Sequence, residues 1–317
     1  MKSQNLSWLL LNSMFILVLM NCKTEKKDQS KTTDNVIAAE QSVIKVLTKS
    51  MEFICRDSIP SGWNTFVYEN QSTEPHFILL DKYPEGKSIV DMKKDVGPPF
   101  DEGMALIMEG KTEEAMEAFG QLPEWFSQVV FSGGTGMISP AKKAVTHVNL
   151  KPGYYIMECY VKMPDGEFHS SMGMTKELIV MEEQNDSEAP VPDIKISLSS
   201  KNGITYKGSL SAGKKIFEVN YIDHIVHENF VGHDVNLVQL GPKADLQELE
   251  QWMNWATPEG LMSSTLPSGI TFLGGTNDAP AGSVQYFEAD LKPGNYAFIS
   301  EVPNSSKKGL LKSFTVL

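Results

Sequence analysis

Cys159 and His169 flank a turn that can bring a thiol and an imidazole onto one face of a β-hairpin. Between them, Pro164-Asp165-Gly166 fits a three-residue loop, a type I turn followed by glycine in the left-handed region. In that register Ser171 lies opposite Cys159, Val161 lies opposite His169, and Cys159 and His169 are diagonal neighbours about 7–8 Å apart at Cβ. A two-residue loop would instead point the two side chains to opposite faces. The first register therefore allows a shared metal ion, and the second does not.

Motifs of common enzyme classes are missing from the sequence. His227-Glu228 lacks the second histidine of a zinc-protease helix, and Gly133-Gly134-Thr135-Gly136 has neither a third glycine nor a βαβ context. No phosphate-loop lysine is present, and no set of residues suggests an acid and base acting together. We therefore predict that the protein is not an enzyme.

The chain carries one domain twice. Three pairs of segments match, the first two at an offset of 141 residues and the third at 151. The pairs are Leu150-Lys151-Pro152-Gly153-Tyr154-Tyr155 with Leu291-Lys292-Pro293-Gly294-Asn295-Tyr296, Gly133-Gly134-Thr135 with Gly274-Gly275-Thr276, and residues 53–62 with 204–213. The change of offset indicates that the copies differ in their insertions.

Short alternating apolar segments separated by Pro and Gly turns predict an all-β fold. No alternation of strands and helices requires a parallel sheet, so we expect two tandem Greek-key β-sandwiches. Apolar spacing predicts short helical insertions at Met104–Gly120 in the first copy and Asp245–Trp255 in the second. The repeated Gly-Gly-Thr is expected to shape a turn.

The predicted organisation has five parts. They are a signal peptide at 1–21, a flexible tether at 22–42, a first domain at 43–183, an acidic, proline-bearing linker at 184–193 and a second domain at 194–317.

The order of signals in the first copy resembles the cupredoxin family. A strand ending at Glu69-Asn70 is followed by His76, and Leu-Lys-Pro-Gly-Tyr-Tyr leads into Cys159, with His169 and Met174 beyond. Residues 53–183 carry this resemblance, and 204–317 carry a weaker version. It implies a cupredoxin-like fold and one copper ion for electron transfer, because thiolate, thioether and imidazole are ligands that suit copper.

When the copper ligands of the family are assigned to this sequence, the resemblance implies that His76 is the first imidazole ligand, Cys159 the thiolate, His169 the second imidazole and Met174 the axial ligand. Nine residues separate Cys159 from His169, which is more than the family's ligand loop usually holds. Met172 competes with Met174 for the axial position.

Three alternatives compete with a copper site. A cysteine in an apolar strand is usually a small buried side chain, and His76 after Pro75 can simply cap a strand. Cys55 and Cys159 can also form a disulfide in an oxidising compartment, which would remove the thiolate.

The second copy lacks the ligand set. His233 stands where His76 should, but Ser300 and Glu301 occupy the region of Cys159, and 307–312 contains neither His nor Met. We therefore predict that this copy binds no copper. A further group, His224, His227 and His233 with Glu228, has no known metal-ligand spacing and is expected to consist of solvated loop residues.

The N-terminus is typical of an exported protein. Lys2 precedes an apolar run from Leu9 to Met20 that is too short to span a membrane. Leu19-Met20-Asn21-Cys22 resembles the lipobox of bacterial lipoproteins, in which the cysteine is acylated and becomes the mature N-terminus. The resemblance implies lipidation at Cys22 and attachment to the membrane through it. The polar residues after Cys22 favour the outer membrane, at its periplasmic face or the cell surface.

Charge narrows the choice of partners. The chain has 40 acidic and 28 basic residues and a formal net charge of −12, which becomes −13 once residues 1–21 are removed. A negative chain repels phosphate backbones, so nucleic acid is excluded as a partner. The sequence thus predicts a lipid-anchored cupredoxin-like protein that binds copper for electron transfer or copper handling, with an unidentified redox partner. The alternative is a metal-free tandem sandwich that acts as a binding or structural module of the cell envelope.

Overall fold

The computed structural model describes residues 42–317, so the predicted signal peptide, Cys22 and the tether up to residue 41 lie outside the described part. The first repeat contains seven strands. They are β1 (Val43–Thr48), β2 (Ser58–Asn70), β3 (His76–Lys82), β4 (Val130–Ile138), β5 (Lys143–Leu150), β6 (Gly153–Glu158) and β7 (Thr175–Gln184). The second repeat contains eight, namely β8 (Ile194–Ser199), β9 (Gly203–Lys207), β10 (Gly213–Tyr221), β11 (Val235–Leu240), β12 (Ile270–Thr276), β13 (Val284–Leu291), β14 (Gly294–Ile299) and β15 (Leu311–Val316).

Helices are confined to insertions between strands. In the first repeat, α1 (Ile89–Asp91), a π-helical turn (Met92–Val96) and α2 (Gly97–Met108) form one continuous helical stretch, and α3 (Thr112–Phe119) follows. The second repeat has α4 (Leu246–Trp252), and short 3₁₀ turns lie at Glu124–Gln128, Glu228–Phe230 and Ser263–Thr265. No helix among residues 42–317 is long and apolar enough to cross a membrane.

Both predicted helical insertions are present with shifted ends. The insertion of the first repeat begins earlier than predicted and is interrupted at Gly110, whose φ is +77°. Asp245 does not belong to α4 but caps it, because its carboxylate accepts hydrogen bonds from the backbone N–H groups of Gln247 and Glu248.

Two sheets run through both repeats. One has the order β7-β6-β3-β4-β12-β11-β14-β15, and the other has the order β1-β2-β5-β13-β10-β8-β9. Strand β2 belongs to both sheets, because its start pairs with β7 and its remainder pairs with β5. The predicted all-β fold of tandem sandwiches with short helical insertions is confirmed.

The two sandwiches join edge to edge. Strand β4 pairs with its counterpart β12, and β5 pairs with its counterpart β13, so each junction joins equivalent strands of the two copies. An edge strand leaves a row of N–H and C=O groups unpaired, and here each repeat satisfies those of the other.

A buried lysine also joins the repeats. Lys162 of the first repeat is fully buried, and its Nζ donates hydrogen bonds to the carbonyls of Trp255, Thr257 and Pro258 of the second. Burial lowers the pKa of its ammonium group to about 8.

The repeated Gly-Gly-Thr does not form a turn, contrary to the sequence prediction. Gly133 and Gly134 lie inside β4, and Gly274 and Gly275 lie inside β12. A Cβ on Gly134 would lie 2.1 Å from the carbonyl oxygen of Ile78, and φ at Gly134 is +138°. Both strands shift register against their neighbours here, so glycine is needed because the backbones approach closely.

Candidate metal centre

His76 opens β3 with its ring fully buried. Its Nε2 lies 2.8 Å from the Ser72 hydroxyl, which donates its own proton to Asn70 Oδ1 or the Glu74 carbonyl. Because the hydroxyl has a single proton, Nε2–H donates to Ser72, and Nδ1 retains its lone pair. This tautomer directs a metal-binding nitrogen toward Cys159.

Cys159 follows β6 directly and is fully buried. Its Sγ lies 3.7 Å from His76 Nδ1 and accepts hydrogen bonds from the backbone N–H groups of Phe77 and Val161. Burial raises the pKa of the thiol to about 12, and these two N–H groups offset only part of that effect. A metal ion would have to displace the proton of this thiol.

His169 begins the turn that follows the bridge residue Phe168, beyond the Pro-Asp-Gly loop, and is also fully buried. Its Nδ1 is 3.2 Å from His76 Nδ1 and 3.9 Å from Cys159 Sγ. Its Nε2 lies 2.9 Å from a carboxylate oxygen of Glu74, at an angle that does not form a hydrogen bond. Burial lowers the pKa of His76 to about 3, with a smaller contribution from His169, and burial lowers that of His169 to about 4.

The three donor atoms surround one point. A triangle with sides of 3.2, 3.7 and 3.9 Å has its centre about 2.1 Å from every corner, which matches the ~2.0–2.3 Å of metal–nitrogen and metal–sulfur bonds. Among residues 42–317, these are the only His, Cys, Asp or Glu side chains that form such a group. The residues therefore fit a metal ion held by two imidazoles and one thiolate.

Met174 is fully buried, and its backbone forms hydrogen bonds with the backbones of His169 and Cys159. Its N–H donates to the His169 carbonyl at 2.8 Å, and its carbonyl accepts from the Cys159 N–H at 3.4 Å. Gly173 bends the chain here with φ of +107°. Met172 is 48% exposed, so burial favours Met174 for an axial position.

The register of the hairpin is as predicted only near its turn. Lys162 pairs with Phe168, and the His169 N–H donates to the Val161 carbonyl, as the three-residue loop requires. The prediction that Ser171 lies opposite Cys159 is wrong, because a tight turn at 170–173 places Met174 there instead.

The disulfide alternative is not observed. Cys55 and Cys159 are both free thiols, and Cys55 is half-buried. Burial raises the pKa of the Cys55 thiol to about 11, which keeps that thiol protonated at neutral pH.

Equivalent positions in the second repeat can be identified from backbone hydrogen bonds. Ser300 N–H donates to the Leu310 carbonyl, and Leu310 N–H donates to the Ser305 carbonyl, which is the pattern of Cys159, Met174 and His169. In the first repeat Leu79 pairs with Glu158, and His76 stands three residues before Leu79. In the second repeat Asn236 pairs with Ile299, and His233 stands three residues before Asn236. The second repeat thus has His233, Ser300, Ser305 and Leu310 at the four positions.

His233 is not a solvated loop residue, contrary to expectation. It is fully buried, with Nε2 3.0 Å from His227 Nε2 and Nδ1 3.2 Å from the Asp223 carbonyl. Its position beside β11 explains the burial, because the equivalent position in the first repeat is also inside the sandwich. His224 and His227 are half-buried.

A cavity of about 410 Å³ lies next to this centre, between the repeats, and sequence reasoning missed it. Six carboxyl side chains line it: Asp81, Asp101, Glu158, Asp234, Asp278 and Glu301. Burial raises the pKa of Asp81, Glu158, Asp234, Asp278 and Glu301, to about 7 for Glu158 and Asp234. Asp81 and Glu158 each stand at the end of an apolar strand run, which is the sequence signal that could have revealed them.

Comparison with known proteins finds no matching family model and no matching curated protein. Among solved structures, the chain is similar to an auracyanin from Roseiflexus castenholzii, with 18% identity over 44% of this chain and 96% of that one and a TM-score of 0.26. Auracyanin A from Chloroflexus aurantiacus, a "blue" copper protein, is 15% identical over 44% and 97%, with a TM-score of 0.26. A multi-copper oxidase from Pediococcus acidilactici is 9% identical over 87% and 58%, with a TM-score of 0.23. Likenesses this low establish neither family nor function.

Proposed function

We propose that this protein is a lipid-anchored, extracytoplasmic, cupredoxin-like electron carrier with one mononuclear copper centre in its first repeat. The observation that carries the proposal is the convergence of His76 Nδ1, Cys159 Sγ and His169 Nδ1 around a point about 2.1 Å from each. Two imidazoles and a thiolate in one plane, with a weak axial thioether, form the ligand set of blue-copper sites. Met174 would supply the thioether.

When bound, copper would cycle between its two oxidation states and so carry one electron. The protein's own contribution is to hold the ligands in place before the metal arrives. Ser72 fixes the tautomer of His76, and the N–H groups of Phe77 and Val161 stabilise negative charge on the Cys159 sulfur.

Burial favours electron transfer over catalysis at the metal. His76, Cys159 and His169 are fully buried, whereas a catalytic metal keeps an open position for substrate or water. We therefore propose that the chain is not an enzyme. The second repeat, with serines and leucine at three of four equivalent positions, is proposed to bind no copper.

The anchor is proposed from the sequence alone. Acylation of Cys22 would hold the protein at the envelope membrane, and a polar segment would separate it from the folded part. Replacing Cys22 with serine should move the protein from the membrane fraction to the soluble fraction, and an unchanged distribution would contradict the anchor.

The copper centre is tested by titrating the metal-free chain of residues 23–317 with copper. We expect one equivalent to bind and an intense visible band from thiolate-to-copper charge transfer. Cys159→Ser should lose the band, and the matched control Cys55→Ser should keep both the band and the stoichiometry, because Cys55 lies outside the donor triangle.

Failure to take up stoichiometric copper, or a band that survives in Cys159→Ser, would refute the proposal. A chain that stays folded but binds no copper would instead support the alternative of a metal-free tandem module of the envelope.

A further inference from the structure

One loop contacts the outer nitrogen of both imidazoles of the metal centre. This loop, residues 71–75, connects β2 to β3. His76 Nε2 lies 2.8 Å from the Ser72 hydroxyl, and His169 Nε2 lies 2.9 Å from Oε2 of Glu74. Nδ1 of each ring faces the other donor atoms, so Nε2 points away from them. The loop therefore gives one imidazole a neutral partner and the other a carboxyl group.

The backbone of the loop, and not the Glu74 side chain, sets the position of Glu74. The Glu74 carbonyl accepts a hydrogen bond from Nδ2 of the buried Asn70 at 2.7 Å and lies 3.0 Å from the Ser72 hydroxyl. The next residue is the buried Pro75, whose ring fixes φ. A substitution of Glu74 thus leaves these contacts in place, and its effect can be assigned to the carboxyl group.

Two buried polar atoms meet here without a hydrogen bond. Neither His169 Nε2 nor Glu74 Oε2 forms one with any residue of the described chain. Burial lowers the pKa of His169 to about 4, so at neutral pH its ring has one N–H and one lone pair. In the metal-free chain His169 Nδ1–H donates to the lone pair of His76 Nδ1, 3.2 Å away. The lone pair of His169 Nε2 then faces the Glu74 carboxylate, which is unfavourable because both carry negative charge density.

This contact becomes favourable when His169 is a metal ligand. Because Nδ1 then gives its lone pair to the metal, the ring hydrogen is on Nε2. Nε2–H faces the carboxylate of Glu74, and attraction between opposite charges replaces repulsion. The same carboxylate thus disfavours the metal-free centre and favours the loaded one.

We propose that Glu74 is a positioning residue of the metal centre, whose carboxylate favours the His169 tautomer with its hydrogen on Nε2 and thereby strengthens metal binding at Nδ1. This inference rests on the proposed copper centre and adds a charged residue that tunes it. Glu74 is not itself a ligand, because it lies on the outer side of the ring and does not join the group of donor atoms. The second repeat, which lacks the ligand set, has Val231 two residues before His233, where the first repeat has Glu74 before His76.

The first experiment measures the Zn²⁺ affinity of the chain of residues 23–317 by competition with a chelator. Zn²⁺ binds imidazole and thiolate and has no redox chemistry, so the result does not depend on electron transfer. Glu74→Gln should weaken Zn²⁺ binding about tenfold or more, which is the usual cost of losing the outer partner of a metal-binding histidine.

Glu183→Gln is the matched control. It removes the same charge from an exposed position near the end of β7, about 25 Å along the strand from Thr175, which pairs with Glu158 beside Cys159. Its Zn²⁺ affinity should equal that of the wild type, because the proposed effect is local.

NMR of the ¹⁵N-labelled, Zn²⁺-loaded chain gives a readout that a change in packing alone would not move. The Nε2–H proton of His169 should be observed in the wild type. Its resonance should shift upfield in Glu74→Gln, because a neutral amide then replaces the charged acceptor.

The reduction potential of the copper-loaded chain gives a further readout. Loss of the carboxylate should raise the potential, because a negative charge beside the ligand stabilises Cu(II) more than Cu(I). A loss of affinity that is tenfold larger for Cu(II) than for Cu(I) corresponds to a rise of about 59 mV.

Three results would overturn the role of Glu74 while leaving the copper centre standing. They are unchanged Zn²⁺ affinity in a folded Glu74→Gln chain, an equal loss in Glu183→Gln, and an Nε2–H resonance of His169 that does not move in Glu74→Gln. A wild-type chain that binds neither Zn²⁺ nor copper would instead refute the metal centre and this inference with it. Circular dichroism checks the fold of each variant. Glu74→Asp, which draws the carboxylate back by one methylene, should also weaken Zn²⁺ binding, and it decides the question if Glu74→Gln does not fold.

Discussion

Acid should destabilise the metal-free protein through His76. Burial lowers the pKa of this imidazole from its ordinary 6.5 to about 3, so between these values the unfolded chain binds a proton that the folded chain does not. Stability is then greatest above pH 6.5 and is lost as the pH falls, by about 1.4 kcal/mol per pH unit. At pH 4.5 the loss due to His76, relative to a pH well above 6.5, is about 2.7 kcal/mol.

The measurement is urea unfolding of wild type and His76→Gln at several pH values, with both chains free of metal. Glutamine keeps an amide near the position of Nε2 but cannot be protonated, so the difference between the two free energies of unfolding isolates His76. Titrating groups distant from His76 largely cancel in this difference, whereas His169, 3.2 Å away, contributes to it through its coupling to His76.

His224→Gln is a matched control with the opposite sign. The hydrogen bond with Asp278 raises the pKa of His224, so this residue stabilises the folded chain at low pH and loses that contribution as the pH rises. A flat difference curve for His76→Gln, or one with the same sign as that for His224→Gln, would refute the assignment of His76 as a neutral, buried imidazole.

Two further predictions concern the junction between repeats and the glycine bulge. Lys162→Met should remove a pH dependence of the free energy of unfolding. The pKa of Lys162 lies near 8, below its ordinary 10.5, so the wild type should gain about 3 kcal/mol of stability over the variant as the pH rises from 8 to 10.5. If urea unfolding gave the same change in free energy of unfolding with pH for the wild type and Lys162→Met, this prediction would be contradicted. Gly134→Ala should cost at least ~2 kcal/mol, because its Cβ would meet the Ile78 carbonyl at 2.1 Å, whereas Gly282→Ala has nothing within 4 Å and should cost less. Equal losses in chemical denaturation would show that positive φ alone accounts for the effect.

Much of the architecture followed from local patterns. Alternation of apolar residues and turns at Pro and Gly indicate sandwiches, because each of these patterns depends only on neighbouring residues, and the matched segments of the internal repeat indicate that there are two of them. The Pro-Asp-Gly turn predicts the pairing of Val161 with His169 for the same reason. Its prediction failed at Ser171, where the chain leaves the ladder in a turn that has no strong sequence signal.

The sequence alone determined the fold class, the repeat, and the identity and order of His76, Cys159, His169 and Met174, because these depend on residue type and local spacing. Tertiary structure decided that three of their donor atoms surround one point, because β3, β6 and the hairpin come together only when the sheet forms. It also decided the junction of the two repeats and the carboxylate-lined cavity beside it. Those features bring together residues as far apart in sequence as Asp81 and Glu301, which line the same cavity because strands of both repeats pair with each other, and no local pattern encodes that pairing.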